Sequence, residues 1–183
     1  MIPRCIGLQG AVTALAANQV IAYPTEAVFG LGGCCHPKAI ARLQALKPRE
    51  NKGWIALIPD WASVAHWVSP LSGPAQARLE THWPGPTTFV CPASDQAPPE
   101  LVIEGRIALR LSAHPIVCAL MDRWGQALLS TSANPPGQAP ARFTQQVMDY
   151  FPEISGIVPG MVDLNQQPTQ IIDVLTGECL RKS

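Results

Sequence analysis

Proline and glycine punctuate this chain so densely that long regular elements are excluded. Its 183 residues include 19 prolines and 14 glycines. A proline removes a backbone donor and fixes φ, and a glycine weakens any helix or strand that runs through it. What can form between them is a set of short helices and strands joined by shaped loops. A 47% hydrophobic share over this length fills one sizeable core, and there is neither an internal repeat nor a low-complexity tract. We therefore expect one domain spanning residues 1–183.

The apolar pattern orders those elements. It predicts a helix over Leu8 to Ala17 feeding a strand at Val20 to Tyr23, which Pro24 ends. The glycine-rich stretch Phe29 to Gly33 follows as a loop. Pro37 sits where a first-turn proline would, and Ile40, Leu43 and Leu46 recur at helical spacing, so a second helix runs to Lys47-Pro48. Trp54 to Ile58 reads as a buried strand, Asp60 as the N-cap of a helix over Trp61 to Val68, and Gln76 to Trp83 as a further helix. Strands are expected at Thr87 to Cys91, Ile107 to Leu111 and Ala127 to Ser130, with a helix from Pro115 to Trp124 between the last two. Ile171 to Leu175 and Glu178 to Arg181 flank Thr176-Gly177 as a hairpin. The fold class is α/β, with strands of both directions in one sheet.

Charge narrows the functional classes. The 13 basic residues balance the 13 acidic ones, so the chain lacks the electrostatic footprint of a protein that lives on nucleic acid, and any RNA contact must come from a local patch. No run of about 18 apolar residues provides a membrane span, and the N-terminus MIPRCIGLQGAV has no long apolar region with a cleavage signature. The six cysteines are irregularly spaced, with Cys91 and Cys118 in apolar runs, which fits a reducing, cytoplasmic setting. Cys34-Cys35-His36 has no second Cys/His pair at zinc spacing, so no metal ligand is assigned to the side chains. His114, before a proline at an expected helix start, reads as a capping or packing residue, and the five tryptophans read as packing residues.

Polar chemistry concentrates in a few segments. Tyr23-Pro24-Thr25-Glu26 ends a strand in a polar pair, and the following glycines permit close backbone approach to a ligand. Lys47-Pro48-Arg49-Glu50-Asn51-Lys52 places three cations within six residues in an extended segment that can splay them toward one anion, as a triphosphate requires. Ser130-Thr131-Ser132-Ala133-Asn134 sets hydroxyls and an amide at a strand end, where α/β sheets bind ligands. Arg110 lies inside an apolar strand and needs a partner such as the carboxylate of Glu26 or Asp173. Strand alternation puts it on the face of Ala108, opposite Ile107, Leu109 and Leu111.

Taken together, these blocks resemble the YrdC/TsaC family of threonylcarbamoyl-AMP synthases, specifically its short bacterial single-domain type. YPTEAVFGLG at Tyr23 to Gly32, KPRENKG at Lys47 to Gly53, WPGPTTF at Trp83 to Phe89, LRLSAHP at Leu109 to Pro115 and STSANPPG at Ser130 to Gly137 carry the resemblance in order over nearly the whole chain. The family's Lys-x-Arg and Ser-x-Asn elements stand intact at Lys47-Pro48-Arg49 and Ser132-Ala133-Asn134. The resemblance implies a YrdC-like single domain: a twisted mixed sheet with flanking helices and a large, positively charged cleft. Near the tail, where the family often has Pro-Ser-Thr-Ile, this chain has Pro168-Thr169-Gln170-Ile171, so a serine role passes to Thr169.

The implied activity is that of a nucleotidyltransferase. L-threonine, bicarbonate or CO2, and ATP give L-threonylcarbamoyl-adenylate and pyrophosphate, and downstream threonylcarbamoyl-transfer proteins use the adenylate to modify adenosine 37 of tRNAs that read ANN codons. By the resemblance, Lys47, Arg49 and Lys52 are the catalytic cations on phosphates and carbamate. Arg49, Lys52, Ser132, Asn134 and Arg181 bind ATP, and Thr25, Arg110, Ser130 and Thr169 bind threonine. Mg²⁺ rides on the phosphates rather than on protein side chains. The rival reading is a non-catalytic module for double-stranded RNA or tRNA that uses Arg42, Lys47, Arg49 and Lys52 on backbone phosphates. A carbamoyl-transfer domain of the hydrogenase-maturation type shares the fold, but its acylphosphatase-like and zinc-finger segments have no counterpart here.

Overall fold

In the computed structural model, which describes residues 3–48, 53–167 and 169–181, no helix exceeds ten residues and no strand five among the described residues. The chain runs α1 (Leu8–Ala16), β1 (Ile21–Pro24), β2 (Phe29–Gly32), α2 (Pro37–Leu46), β3 (Ile55–Leu57), α3 (Trp61–Trp67), α4 (Gly73–His82) and β4 (Thr88–Pro92). It continues through β5 (Arg106–Arg110), α5 (Pro115–Trp124), β6 (Leu128–Ser132), α6 (Thr144–Tyr150), β7 (Gly156–Ile157), β8 (Ile171–Asp173) and β9 (Cys179–Arg181). Local chemistry sets the ends. Pro37 opens α2 while the His36 side chain accepts from Lys38 N, and Asp60 accepts from Ser63 N at 2.8 Å to open α3. Gly177, at φ 76°, turns β8 into β9 as the Thr-Gly pair predicts.

The strands form one mixed sheet in the order β7-β1-β2-β6-β3-β5-β4-β8-β9. Strand β6 is its junction. Thr131 and Ser132 pair with Leu31 and Gly30 of β2, whereas Leu128, Leu129 and Ser130 pair with β3. Alternation sends side chains to two apolar layers. Ile21, Tyr23, Leu57 and Leu128 pack with Leu15 of α1 and Leu120 of α5; Ala22, Phe29, Leu31, Ala56, Leu109 and Leu129 pack with Leu43 of α2, Leu79 of α4 and Val147 of α6. Burying these faces is the main favourable term in holding such short elements together.

Three sequence expectations change. Phe29 to Gly33 is not a loop: Phe29–Gly32 is β2, paired antiparallel with β1 from Ile21↔Gly32 to Pro24↔Phe29. Strand β6 runs on to Ser132, so the hydroxyls of Ser130, Thr131 and Ser132 project from a strand rather than from a loop after it. Helix α6 and the two-residue β7 give no periodic signal, since α6 buries Val147 alone. Trp54 and Trp83 are core residues, and Trp61 covers Trp83 with ring centroids 5.9 Å apart. No helix among the described residues is long and apolar enough to cross a membrane.

Candidate functional site

The site starts from a bare patch on β2. Gly30 and Gly32 face the same side as Tyr23, and the Tyr23 ring crosses them to donate its hydroxyl to Leu129 O on β6 at 2.8 Å. A Cβ on Gly30 would stand 3.1 Å from Tyr23 Cε2 and 3.2 Å from Ser130 Oγ, and one on Gly32 would stand 1.8 Å from Leu129 O. Any side chain at Gly32 would drive β2 and β6 apart. Burial pushes the Tyr23 phenol far up, against the opposing pull of Ser130 and Arg110, so it stays a protonated donor. Ser130 thus lies beside Tyr23 and Gly30.

Beyond Pro24 the chain closes a tight turn. Thr25, buried, donates its Oγ1 hydrogen to Val28 O at 2.7 Å, which leaves only acceptor capacity on that oxygen. Glu26 Oε1 accepts from Ser112 Oγ at 2.6 Å and from Ala113 N at 3.3 Å, and Oε2 lies 3.6 Å from Arg110 Nη2. Arg110 therefore has the carboxylate partner its place in an apolar strand requires. The other candidate, Asp173, instead binds Arg106 at 2.6 Å. Arg110 is buried on the face opposite Ile107 and Leu109, as alternation predicts. A second guanidinium stands close: burial, with the Arg110 charge adding, lowers the pKa of Arg181, whose Nη2 donates to Thr169 O at 2.6 Å and lies 3.4 Å from Thr169 Oγ1.

A third cation closes the other side. Lys47, the C-cap of α2, is not splayed from an extended segment as its sequence context implies; it is buried. Its Nζ donates to Ser132 O at 2.7 Å and to Asn134 Oδ1 at 3.0 Å, with Ser132 Oγ at 3.2 Å. Ser132 Oγ in turn donates to Asn134 Oδ1 at 2.7 Å, and Asn134 Nδ2 donates to Pro135 O and Gln138 O. The Lys-x-Arg and Ser-x-Asn elements, 85 residues apart, are thus one hydrogen-bonded unit through Lys47. Arg49 and Lys52 lie outside the described residues. Of the other predicted residues, the structure joins Lys47 with Ser132 and Asn134 and Arg181 with Thr169, sets Arg110 against Glu26, and places Ser130 on β6 and Thr25 just beyond β1. Tyr23, Glu26 and Ser112 complete the setting without having been assigned a role from sequence, although all three stand inside the quoted blocks.

The remaining polar candidates are held elsewhere. Cys34 Sγ points to Asn18 Oδ1 at 3.4 Å and Cys35 Sγ to Ala127 O at 3.7 Å, and burial pushes the Cys35 thiol up to about 12. His114 Nε2 lies 3.1 Å from Met161 O, which ties the start of α5 to the segment over β1. Among the described residues no group of three or more His, Cys, Asp or Glu side chains could hold a metal ion.

A family model for the Sua5, YciO and YrdC proteins, described as "Telomere recombination", matches residues 13–183. The chain belongs to this family. The threonylcarbamoyl-AMP synthase of Halorhodospira halophila is 42% identical over 186 residues, which cover 98% of this chain and 96% of that protein. Among solved structures, P. abyssi Sua5 complexed with L-threonine matches 91% of this chain with a TM-score of 0.83 at 24% identity; this chain spans 50% of that one. E. coli YciO matches 98% of this chain and 94% of its own with a TM-score of 0.81 at 22% identity. At these identities the two structures establish the fold, and the mixed α/β sheet expected from the motif blocks is the family's fold.

Proposed function

We propose that this chain makes L-threonylcarbamoyl-adenylate and pyrophosphate from L-threonine, bicarbonate or CO2, and ATP. The observation that carries the reading is a pair of cationic stations, Arg110 beside Glu26 and Lys47 on the Ser132–Asn134 unit. Arg110 and Lys47 are buried, and the Arg110 charge helps to lower the pKa of Arg181, which is exposed on β9. Cations held in this way favour anionic ligands, which a bound substrate would add to the partners the fold supplies. The proposed reaction brings together two anions that repel each other, a carbamate and a triphosphate. Fixed cations that neutralise both and hold the carbamate oxygen against the α-phosphorus would supply most of the catalysis.

In this reading Lys47, Arg49 and Lys52 neutralise the phosphates and carbamate, Ser132, Asn134 and Arg181 place the nucleotide, and Arg110 takes the threonine carboxylate. Thr25, Ser130 and Thr169 line the threonine side, Thr25 as an acceptor. Together they would line a positively charged cleft. Mg²⁺ would be held by phosphate oxygens and water. The adenylate would pass to threonylcarbamoyl-transfer proteins acting on tRNA in the cytoplasm. The RNA-module reading loses two of its grips: Lys47 is buried, and Arg42 Nη1 donates to Ala17 O and Asn18 O at the end of α1.

The test is to incubate the purified protein with ATP, Mg²⁺, L-threonine and ¹³C-bicarbonate and to examine the products by mass spectrometry. An adenylate that carries the label is expected. Unlabelled adenylate, or ADP in place of pyrophosphate, would refute the proposal.

A further inference from the structure

The ion pair between Glu26 and Arg110 is buried but not closed. Their side chains are 8% and 5% exposed, yet Oε2 and Nη2 stand 3.6 Å apart, beyond hydrogen-bond length. Glu26 Oε2 and Arg110 Nε both lie inside the protein with no hydrogen-bond partner among the described residues. A buried pair that served only the fold would gain by closing, because unpaired buried charges are strongly disfavoured. Glu26 is held back instead: Ser112 Oγ and Ala113 N fix its Oε1 from the β5–α5 connection. The result is a fixed anion and a fixed cation side by side, each with one unused bonding direction.

That arrangement complements a ligand whose positive and negative groups sit on neighbouring atoms, as the ammonium and carboxylate of an α-amino acid do. We propose that Glu26 is a specificity-determining residue: its Oε2 accepts from the α-ammonium of the amino-acid substrate while Arg110 takes the carboxylate. Glu26 thereby selects an α-amino acid over the corresponding α-hydroxy acid, whose hydroxyl brings no positive charge to the carboxylate. Thr25 Oγ1, already a donor to Val28 O, can add only an acceptor and so reinforces the same choice. This inference rests on the reading above that the site takes threonine, and it adds the residue that reads the amino group.

Titration calorimetry of wild-type protein and Glu26→Gln, with and without a non-hydrolysable ATP analogue, tests it with two probes: L-threonine and 2,3-dihydroxybutanoate, which replaces the amine by a hydroxyl. Glu26→Gln is expected to weaken threonine tenfold to a hundredfold and to leave dihydroxybutanoate within about twofold, as loss of one charge-assisted bond requires. The ratio of the two probes is taken within each protein, so a change in folded fraction cancels. Ser112→Ala, which keeps the carboxylate but frees it, is expected to lower the same ratio by less. Equal losses for both probes, or unchanged threonine affinity in Glu26→Gln, would overturn the inference; with adenylate still formed, the synthase reading would stand. Wild-type protein that binds threonine with the expected ratio but makes no adenylate would remove the synthase reading and leave the role of Glu26 supported.

Discussion

Replacing Lys47 by methionine separates its two jobs. The long apolar side chain keeps the stem's packing and removes the ammonium, whose Nζ reaches Ser132 O, Ser132 Oγ and Asn134 Oδ1. Those acceptors are not orphaned by the change. Ser132 O still accepts from Asn134 N at 3.0 Å, and Asn134 Oδ1 still accepts from Ser132 Oγ at 2.7 Å. The loss is therefore chiefly that of charge-assisted hydrogen bonds, about 1.5 to 3 kcal/mol. A domain of this size shifts by about 2 to 4 °C per kcal/mol, so the melting temperature should fall by roughly 3 to 12 °C. If Lys47 also neutralises the phosphates, turnover of the folded variant should fall at least tenfold, which corresponds to about 1.4 kcal/mol of transition-state stabilisation. Circular dichroism melting and pyrophosphate release measured well below the transition check the two numbers independently. A melting point and a turnover both equal to wild type would refute the reasoning. A lower melting point with wild-type turnover would reduce Lys47 to a structural clamp.

Gly32→Ala should be among the most damaging single-methyl changes, since its Cβ would meet Leu129 O at 1.8 Å; a loss of about 4 kcal/mol or more is expected in urea unfolding, and a near-neutral result would contradict the β2–β6 geometry. Arg110→Lys should raise the threonine KM far more than the ATP KM, because a point charge cannot reproduce a guanidinium fork; an unchanged threonine KM with a depressed melting point would leave only the ion pair with Glu26. Burial pushes the Asp173 carboxyl up, but the N–H groups of Thr176 and Leu175 together with Arg106 outweigh it and hold the group below its ordinary value. Its folded pKa is depressed, so its stabilisation is complete above a carboxylate's ordinary value of about 4 and is lost as pH falls through the lower folded value. Asp173→Asn should therefore cost about 1 to 2 kcal/mol at pH 7, with the gap to wild type closing in acid; a gap independent of pH would contradict this.

Much of this organisation is legible in the sequence. Helix α5 occupies the expected Pro115–Trp124, and Asp60 caps α3, because proline at a first turn and a carboxylate before an apolar run act locally. Strand β2 is not legible, since glycine is a poor strand former in isolation; glycine is needed at Gly30 and Gly32 because the Tyr23 ring and Leu129 O occupy the space their side chains would take. The burial of Lys47 is equally invisible. A run of cations reads as solvated until the fold sets Ser132 and Asn134, from 85 residues further along, against one of them. The need of Arg110 for a carboxylate follows from its apolar strand alone, but the choice of Glu26 over Asp173 depends on the tertiary contact that sets the turn after β1 against the β5–α5 connection.

Whether Lys47 and Arg110 serve a reaction of threonine, bicarbonate and ATP is tested by following pyrophosphate release while each substrate is omitted in turn. Because the attacking carbamate oxygen is built from both threonine and bicarbonate, release should require all three and should fall to background when either of those two is left out. Pyrophosphate release indifferent to threonine would contradict the account.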